Sequence, residues 1–181
     1  RQPDTRSAKR FMATLRCTSK YRKAFGIRER LPDPETSDLV LGEWYANTLW
    51  IGRQRFFHYV ASKSLLSIVI PMRERKTAEL RFIEAVEQLL HHFGASRADI
   101  EAELRGMSDF TYARASNRSV LGSMRDQAYL AKHDVLDGRA SSLWELWIRL
   151  AETPCGPMDY NSPKRVTRIL FGVESPERSA G

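Results

Sequence analysis

Three closely spaced strand patterns in the middle of the chain constrain the fold more than any other feature. Residues 43–51 alternate between two faces, a turn at Gly52-Arg53-Gln54 follows, and residues 55–61 return as the second arm of a hairpin. The apolar run 65–70, closed by Pro71, is typical of a central strand that is buried on both faces. A β-sheet is therefore the predicted centre of the fold.

Helices and two further strands are predicted on either side of this region. Alternation predicts strands over 13–17 and 110–115, and helical spacing predicts helices over 19–25, 77–93, 97–104, 118–133 and 143–152. Thr18, Ser96, Asn117 and Ser142 are placed to cap four of these helices. We predict a single α+β domain: a mostly antiparallel sheet of about five strands, with helices packed on one face.

Positive charge is concentrated at the start of the chain, which has a formal net charge of +7. Residues 1–30 carry ten Lys and Arg against Asp4 and Glu29. Such a basic end favours phosphate-backbone binding, although a solvated arm has the same composition. Because hydrophobic periodicity begins only after Met12, we predict a flexible basic extension over 1–11, a domain over 12–172 and a disordered tail over 173–181.

The sequence predicts a cytoplasmic protein without a cofactor. Cys17 and Cys155 stand apart, without the spacing of a metal site or a disulfide framework. No apolar run is long enough to span a bilayer, so membrane association is not expected. Metal-binding motifs and glycine-rich nucleotide loops are missing from the sequence, so no metal site is predicted. The oligomeric state stays open.

Two motifs carry a family resemblance: Leu-Gly-Glu-Trp-Tyr-Ala-Asn at 41–47 and Asn-Arg-Ser-Val-Leu-Gly-Ser-Met at 117–124. With the strand that ends at Pro71, they resemble a family of small prokaryotic proteins known as a domain of unknown function. The likeness runs from Met12 to Phe171 and includes residues 153–157. This chain departs from the pattern at Arg125, where Asn is expected, and near Ala61, where a polar residue is expected. The resemblance implies no reaction and assigns no catalytic residue.

The 117–124 segment is the strongest candidate site. A strand that enters a helix through Asn117 leaves backbone N–H groups near Arg118 and Ser119, and the helix dipole favours an anion there. Gly122 is costly inside a helix, which suggests a close approach by backbone or ligand. In the alternative interpretation, Asn117 only caps the helix and Gly122 only lets it pack against the sheet.

The aromatic strand is a second candidate. Tyr45 and Asn47 share a face, and with Arg53 and Arg55 they would suit base stacking on single-stranded nucleic acid. The alternative is that helices cover this face. On the opposite face, Trp44 and Trp50 are expected in the core, as a shared strand face predicts.

A catalytic site is a third possibility, and it depends on the fold. Glu43, His58, Arg118 and Ser119 would resemble a small ribonuclease site if the hairpin lay beside the helix that begins after Asn117. His58 would then act as general base and Arg118 would stabilise a phosphoryl charge. The alternative is a buried histidine of the core.

Three functions stay open. Binding of RNA or DNA is the leading hypothesis, a nuclease-like enzyme using His58 and Arg118 is the second, and a protein-interaction module using the aromatic hairpin or the Trp144/Trp147 helix is the third. The predicted anion-binding residues are Tyr45, Asn47, Arg53, Arg55, Arg114, Asn117, Arg118, Ser119 and Ser123.

Overall fold

The computed structural model describes residues 12–33 and 37–176, which form one five-stranded sheet with helices around it. The strands are β1 (Ala13–Cys17), β2 (Trp44–Ile51), β3 (Gln54–Ala61), β4 (Ser67–Pro71) and β5 (Phe110–Arg114). Their order is β4-β3-β2-β1-β5. Strand β1 runs parallel to β2 and β5, whereas β3 runs antiparallel to β2 and β4. The sheet is therefore mixed, and its antiparallel pairings contain most of the paired residues.

The predicted helices are confirmed, with ends that shift by a few residues. They are α1 (Ser19–Phe25), α2 (Ala78–His92), α3 (Arg97–Gly106), α4 (Arg118–Leu136) and α5 (Leu143–Glu152), and the described residues also form a further helix, α6 (Pro163–Leu170). A 3₁₀ segment, Met72–Thr77, joins β4 to α2. The capping residues identified in the sequence lie at the starts of α1, α3, α4 and α5, each accepting hydrogen bonds from the first helical turn.

The first face of the sheet carries Phe57 and Tyr59, and helices α1 and α2 cover it. The Tyr59 ring stacks on Phe82 of α2 with centroids 4.2 Å apart. Its hydroxyl lies 3.0 Å from the hydroxyl of Tyr21 on α1. This face supports the main hydrophobic core.

The second face of the sheet is also covered. Leu49 and Phe56 pack with residues of α4 and α5, and Tyr45 and Val60 pack with the first turns of α4. The prediction that helices pack on one face is therefore wrong. The physical reason is that β2 and β3 carry large apolar side chains at both odd and even positions, so each face needs its own cover.

Trp50 is not in the core, contrary to the prediction. It shares the first face with Trp44, which is fully buried, but 57% of its own surface is exposed. Helix α1 has seven residues and is about 10 Å long, so it packs near Phe57 and leaves the end of the hairpin uncovered. Position on a strand face is therefore not sufficient for burial.

The connection into β2 is held by a buried carboxylate and a glycine. Glu103 of α3 accepts hydrogen bonds from the backbone N–H groups of Val40 and Leu41, at 2.8 and 3.0 Å. Gly42 has φ +77°, and a Cβ there would lie 2.7 Å from the Ser62 Oγ. Together these contacts place Glu43 at the start of β2.

The predicted boundaries at the two ends of the chain stay predictions. The basic extension predicted over 1–11 lies outside the described residues. In the tail predicted over 173–181, Val173 packs against the main core and Glu174 accepts a hydrogen bond from Arg165 at 2.9 Å. Val173 and Glu174 therefore contact the residues that precede them. Within the described ranges, no helix has the length and apolar character needed to cross a membrane.

Candidate functional site

Groups of the protein itself accept hydrogen bonds from most of the backbone N–H groups at the start of α4. Asn117 Oδ1 accepts hydrogen bonds from the N–H groups of Ser119 and Val120, at 2.9 and 3.2 Å. The N–H of Asn117 donates to the Tyr45 hydroxyl at 3.3 Å, and the N–H of Leu121 donates to the Asn117 carbonyl at 3.0 Å. An anion at this helix start would have to displace the capping side chain.

The side chains of the same segment point to different surroundings. Arg118 and Ser119 are exposed, whereas Ser123 is buried and its Oγ donates to the Ser119 carbonyl at 3.2 Å. A Cβ added at Gly122 would meet no atom within 4 Å, so no backbone of the described residues approaches it closely. The backbone approach inferred from this glycine is therefore absent from the described part of the chain, and the approach of a ligand stays a prediction.

Glu43 is engaged by a buried arginine. Arg16 of β1 is 9% exposed, and its Nε and Nη2 donate to the Glu43 carboxylate at 2.8 and 2.9 Å. Its Nη1 donates to the Arg114 carbonyl at 3.2 Å. Hydrogen bonding to Glu43 raises the pKa of Arg16. Both oxygens of Glu43 are therefore used in a bidentate ion pair and not offered to a substrate.

Tyr45 and Asn47 do not form an open groove. Tyr45 is 2% exposed and lies beneath α4. Asn47 Oδ1 accepts hydrogen bonds from the Thr18 hydroxyl and the Thr48 N–H, both at 2.8 Å. The predicted stacking platform is thus buried at Tyr45, and the alternative interpretation, in which helices cover this face, describes the structure.

His58 lies inside the protein. It pairs with Asn47 across the hairpin, is 1% exposed, and its Nε2 lies 2.7 Å from the Ser67 Oγ. Burial lowers the pKa of His58 to about 4. A general base must reach a substrate proton, and this ring has no exposed edge with which to do so. The fold does not join His58 to Arg118 and Ser119 at one open cleft.

The hairpin arginines lie far from the start of α4. The first turns of α4 pack on Tyr45, and Leu136 at its other end lies beside Gly52 in the hairpin turn. A 19-residue helix is about 28 Å long. Arg53 and the nearby Arg55 are therefore separated from Arg118 by roughly that length, and the predicted anion-binding residues divide into two distant groups.

A different group of cations forms a pocket, called here the basic pocket. It is lined by Arg22, Lys23, Gly26, Ile27 and Arg28 at the end of α1 and by Arg75 of the 3₁₀ segment, and its volume is about 540 Å³. No carboxylate lines it. Four positive side chains thus converge on one cavity from two separate parts of the chain.

The charges of the basic pocket are not neutralised by any acid of the described residues. Within 12–33 and 37–176, none of its four cations forms a salt bridge. Arg22 Nη2 donates to the Glu29 carbonyl at 2.7 Å, which holds the guanidinium in place, and its buried Nε has no partner. Lys23, Arg28 and Arg75 are exposed. The cations of the pocket are therefore available to a negatively charged ligand, as far as the described residues are concerned.

Sequence reasoning counted the cations of residues 20–30 but missed Arg75. The run Arg73-Glu74-Arg75-Lys76 after Pro71 is a charge signal that a search for basic clusters would have found. Its position beside α1 follows only from the tertiary fold. Among the described residues, no group of His, Cys, Asp and Glu is arranged to hold a metal ion.

Comparison with known proteins identifies a family for most of the chain. The model of a family described as a domain of unknown function (DUF6933) matches residues 14–166. No curated protein and no solved structure matches the chain.

Proposed function

The chain belongs to the DUF6933 family, and from that premise we propose that it binds the phosphate backbone of a nucleic acid through the basic pocket. The observation that carries the proposal is the convergence of Arg22, Lys23, Arg28 and Arg75 on one cavity without a carboxylate. Clustered Lys and Arg bind phosphates and release the counterions that surround them.

The arrangement of charge favours a polymer over a single small anion. Lys20 and Arg30 flank the pocket in the α1 region, and Arg73 and Lys76 flank Arg75 in the 3₁₀ segment. All four are exposed. The positive surface therefore extends beyond the cavity in both segments, as contact with successive phosphates requires.

Arg22 and Arg28, two of the three arginines of the pocket, differ in burial and have different roles in this proposal. Arg22 is half-buried and fixed by Glu29, so its guanidinium is preorganised. Arg28 is exposed and free to follow a phosphate. Arginine offers a planar fork of donors that matches phosphate oxygens, which suits both positions.

The test is a titration of fluorescently labelled 20-nucleotide RNA and DNA, followed by anisotropy over a range of KCl concentrations. The variant is Lys23→Gln/Arg28→Gln/Arg75→Gln in the full chain. Its matched control is Arg105→Gln/Arg125→Gln/Lys132→Gln, which removes three exposed cations from α3 and α4.

We expect the pocket variant to lose at least tenfold in affinity near 100 mM salt, and the control to stay within about threefold of the wild type. The slope of log K against log salt should fall by about 0.7 for each lost phosphate contact on single strands, or about 0.9 on duplex. Equal losses in the two variants, or no binding by the wild type, would overturn the proposal.

A further variant separates this surface from the start of α4. Arg118→Ala removes the exposed cation of the segment that the sequence analysis favoured. If the basic pocket is the interface, Arg118→Ala leaves the affinity within about twofold. A loss as large as that of the pocket variant would move the interface to α4.

A further inference from the structure

Trp50 is an exposed aromatic side chain that the packing of the protein does not use. The Arg55 guanidinium lies over its ring, with Cζ 5.1 Å from the ring centroid. More than half of the Trp50 surface remains exposed. Tryptophan is enriched at binding interfaces, and aromatic side chains with nearby arginines form stacking platforms for nucleic-acid bases.

Trp50 lies on the same face of the sheet as the basic pocket. Trp50 pairs with Arg55 across the hairpin, and Thr48 pairs with Phe57 one step closer to the helices. The Phe57 ring lies 5.7 Å from that of Phe25, the last residue of α1, and Gly26 after it lines the pocket.

The 3₁₀ segment gives a second connection between the two features. Met72–Thr77 packs against β3, the strand that carries Arg55, and contributes Arg75 to the pocket. Two residues along a strand span about 7 Å. The aromatic pair therefore lies on the same face as the cations, one such step along the strands beyond Phe57, and a strand of several nucleotides would reach from one to the other.

This combination distinguishes between nucleic-acid forms. In a duplex the base faces are stacked on one another, and only edges and phosphates are accessible. In a single strand an aromatic ring can stack on an unpaired base while cations hold the adjacent phosphates. A basic pocket alone binds both forms, whereas a basic pocket with a stacking tryptophan favours the single strand.

We infer that the ligand of this surface is single-stranded nucleic acid and that Trp50 stacks on one of its bases, with Arg55 supporting the ring. The inference rests on the proposed function, because the cations of the basic pocket must hold the backbone. It adds a ligand class that the charges alone do not specify.

The test compares a labelled 12-nucleotide RNA of mixed sequence with the same strand annealed to its complement. The variants are Trp50→Ala and the conservative Trp50→Phe, and the matched control is Tyr129→Ala, which removes another exposed aromatic ring from α4. Circular dichroism of each variant checks that the fold is retained.

We expect the wild type to bind the single strand at least tenfold more tightly than the duplex. Trp50→Ala should lose about tenfold in affinity for the single strand, within the range for one stacked base. Because stacking releases no counterions, the loss should be equal at every salt concentration, with the salt slope unchanged. Trp50→Phe should recover most of the affinity, and Tyr129→Ala should match the wild type.

Tryptophan fluorescence gives an independent readout, since base stacking quenches an indole. The single strand should quench the wild type, and the quenching should disappear in Trp50→Phe. Equal affinity for the two nucleic-acid forms, or equal losses on both in Trp50→Ala, would overturn this inference and leave the basic pocket standing. No binding of either form would overturn the inference and the proposed function together.

Discussion

Two polar regions of this protein differ in what their charged and hydrogen-bonding groups already contact. On the second face of the sheet, Arg16 is paired with Glu43, Tyr45 with Asn117, and His58 with Ser67. We call these residues the second-face polar set. In the basic pocket, no described acid neutralises Lys23, Arg28 or Arg75. The first region is internally satisfied, and the second is not.

Residue type alone does not distinguish polar groups that stabilise the fold from polar groups that bind a ligand. A buried polar group needs a partner within the protein, because an unpaired one is costly. An exposed cation is solvated and remains available to a ligand. The second-face polar set therefore contributes to stability, and we propose binding at the basic pocket.

The largest expected effect is on the buried ion pair. Arg16→Met leaves the Glu43 carboxylate, whose side chain is only 14% exposed, without its partner and should lower the free energy of unfolding by about 3 kcal/mol. Arg28→Gln in the pocket should change it by less than about 0.5 kcal/mol. Urea denaturation of both variants measures the difference. The double variant Arg16→Met/Glu43→Leu should recover much of this lost free energy of unfolding. If Arg16→Met lost as little as Arg28→Gln, the buried ion pair and the exposed cation would not differ in their contribution to stability.

The pH dependence of stability tests the burial of His58. Its pKa is lowered to about 4 by burial, against about 6.5 in an unfolded chain, so the folded state favours the neutral ring. The contribution of the neutral His58 to the free energy of unfolding is therefore complete above pH 6.5, and it decreases as the pH falls. Between pH 7 and pH 5 the free energy of unfolding should fall by about 2 kcal/mol in urea titrations. In His58→Gln the free energy of unfolding should change much less between pH 7 and pH 5. If the wild-type value were the same at both pH values, His58 would not be a neutral buried histidine.

Asn117→Ala tests whether the start of α4 stabilises the fold or binds nucleic acid. The change removes the acceptor for two backbone N–H groups and should cost about 1 kcal/mol of stability. Asn117→Asp keeps a side-chain acceptor at this position, so it should lose less stability than Asn117→Ala. Nucleic-acid affinity should be unchanged in both, as measured by the same anisotropy titration. A loss of affinity in Asn117→Ala without a loss of stability would assign this segment to binding.

The smallest expected effect is a gain. Because a Cβ at Gly122 meets no atom within 4 Å and the position is helical, Gly122→Ala should raise the free energy of unfolding by up to about 1 kcal/mol. Thermal and urea denaturation should both show that Gly122→Ala is more stable than the wild type. Unchanged nucleic-acid affinity is expected, whereas a marked decrease would mean that a ligand approaches this turn.

Local features were predictable to the extent that neighbouring residues cause them. The hairpin, the caps at Thr18, Ser96 and Ser142, and the helix that follows Asn117 depend on alternation, turns and nearby hydrogen bonds. The covered second face and the exposure of Trp50 depend on which helix packs where and on how far it extends. These distances are properties of the assembled sheet, and no local pattern contains them.

The sequence by itself determined the elements, the mixed hydrophobic character of β2 and β3, and a basic chain with candidate anion-binding residues. Only the tertiary structure decided which of these residues were already occupied. It paired Glu43 with Arg16 and buried His58, and it brought Arg75 to the end of α1. The reason is physical: hydrogen-bond satisfaction and charge neutralisation depend on partners that are distant in sequence, so the availability of a polar group is known only once the chain has folded.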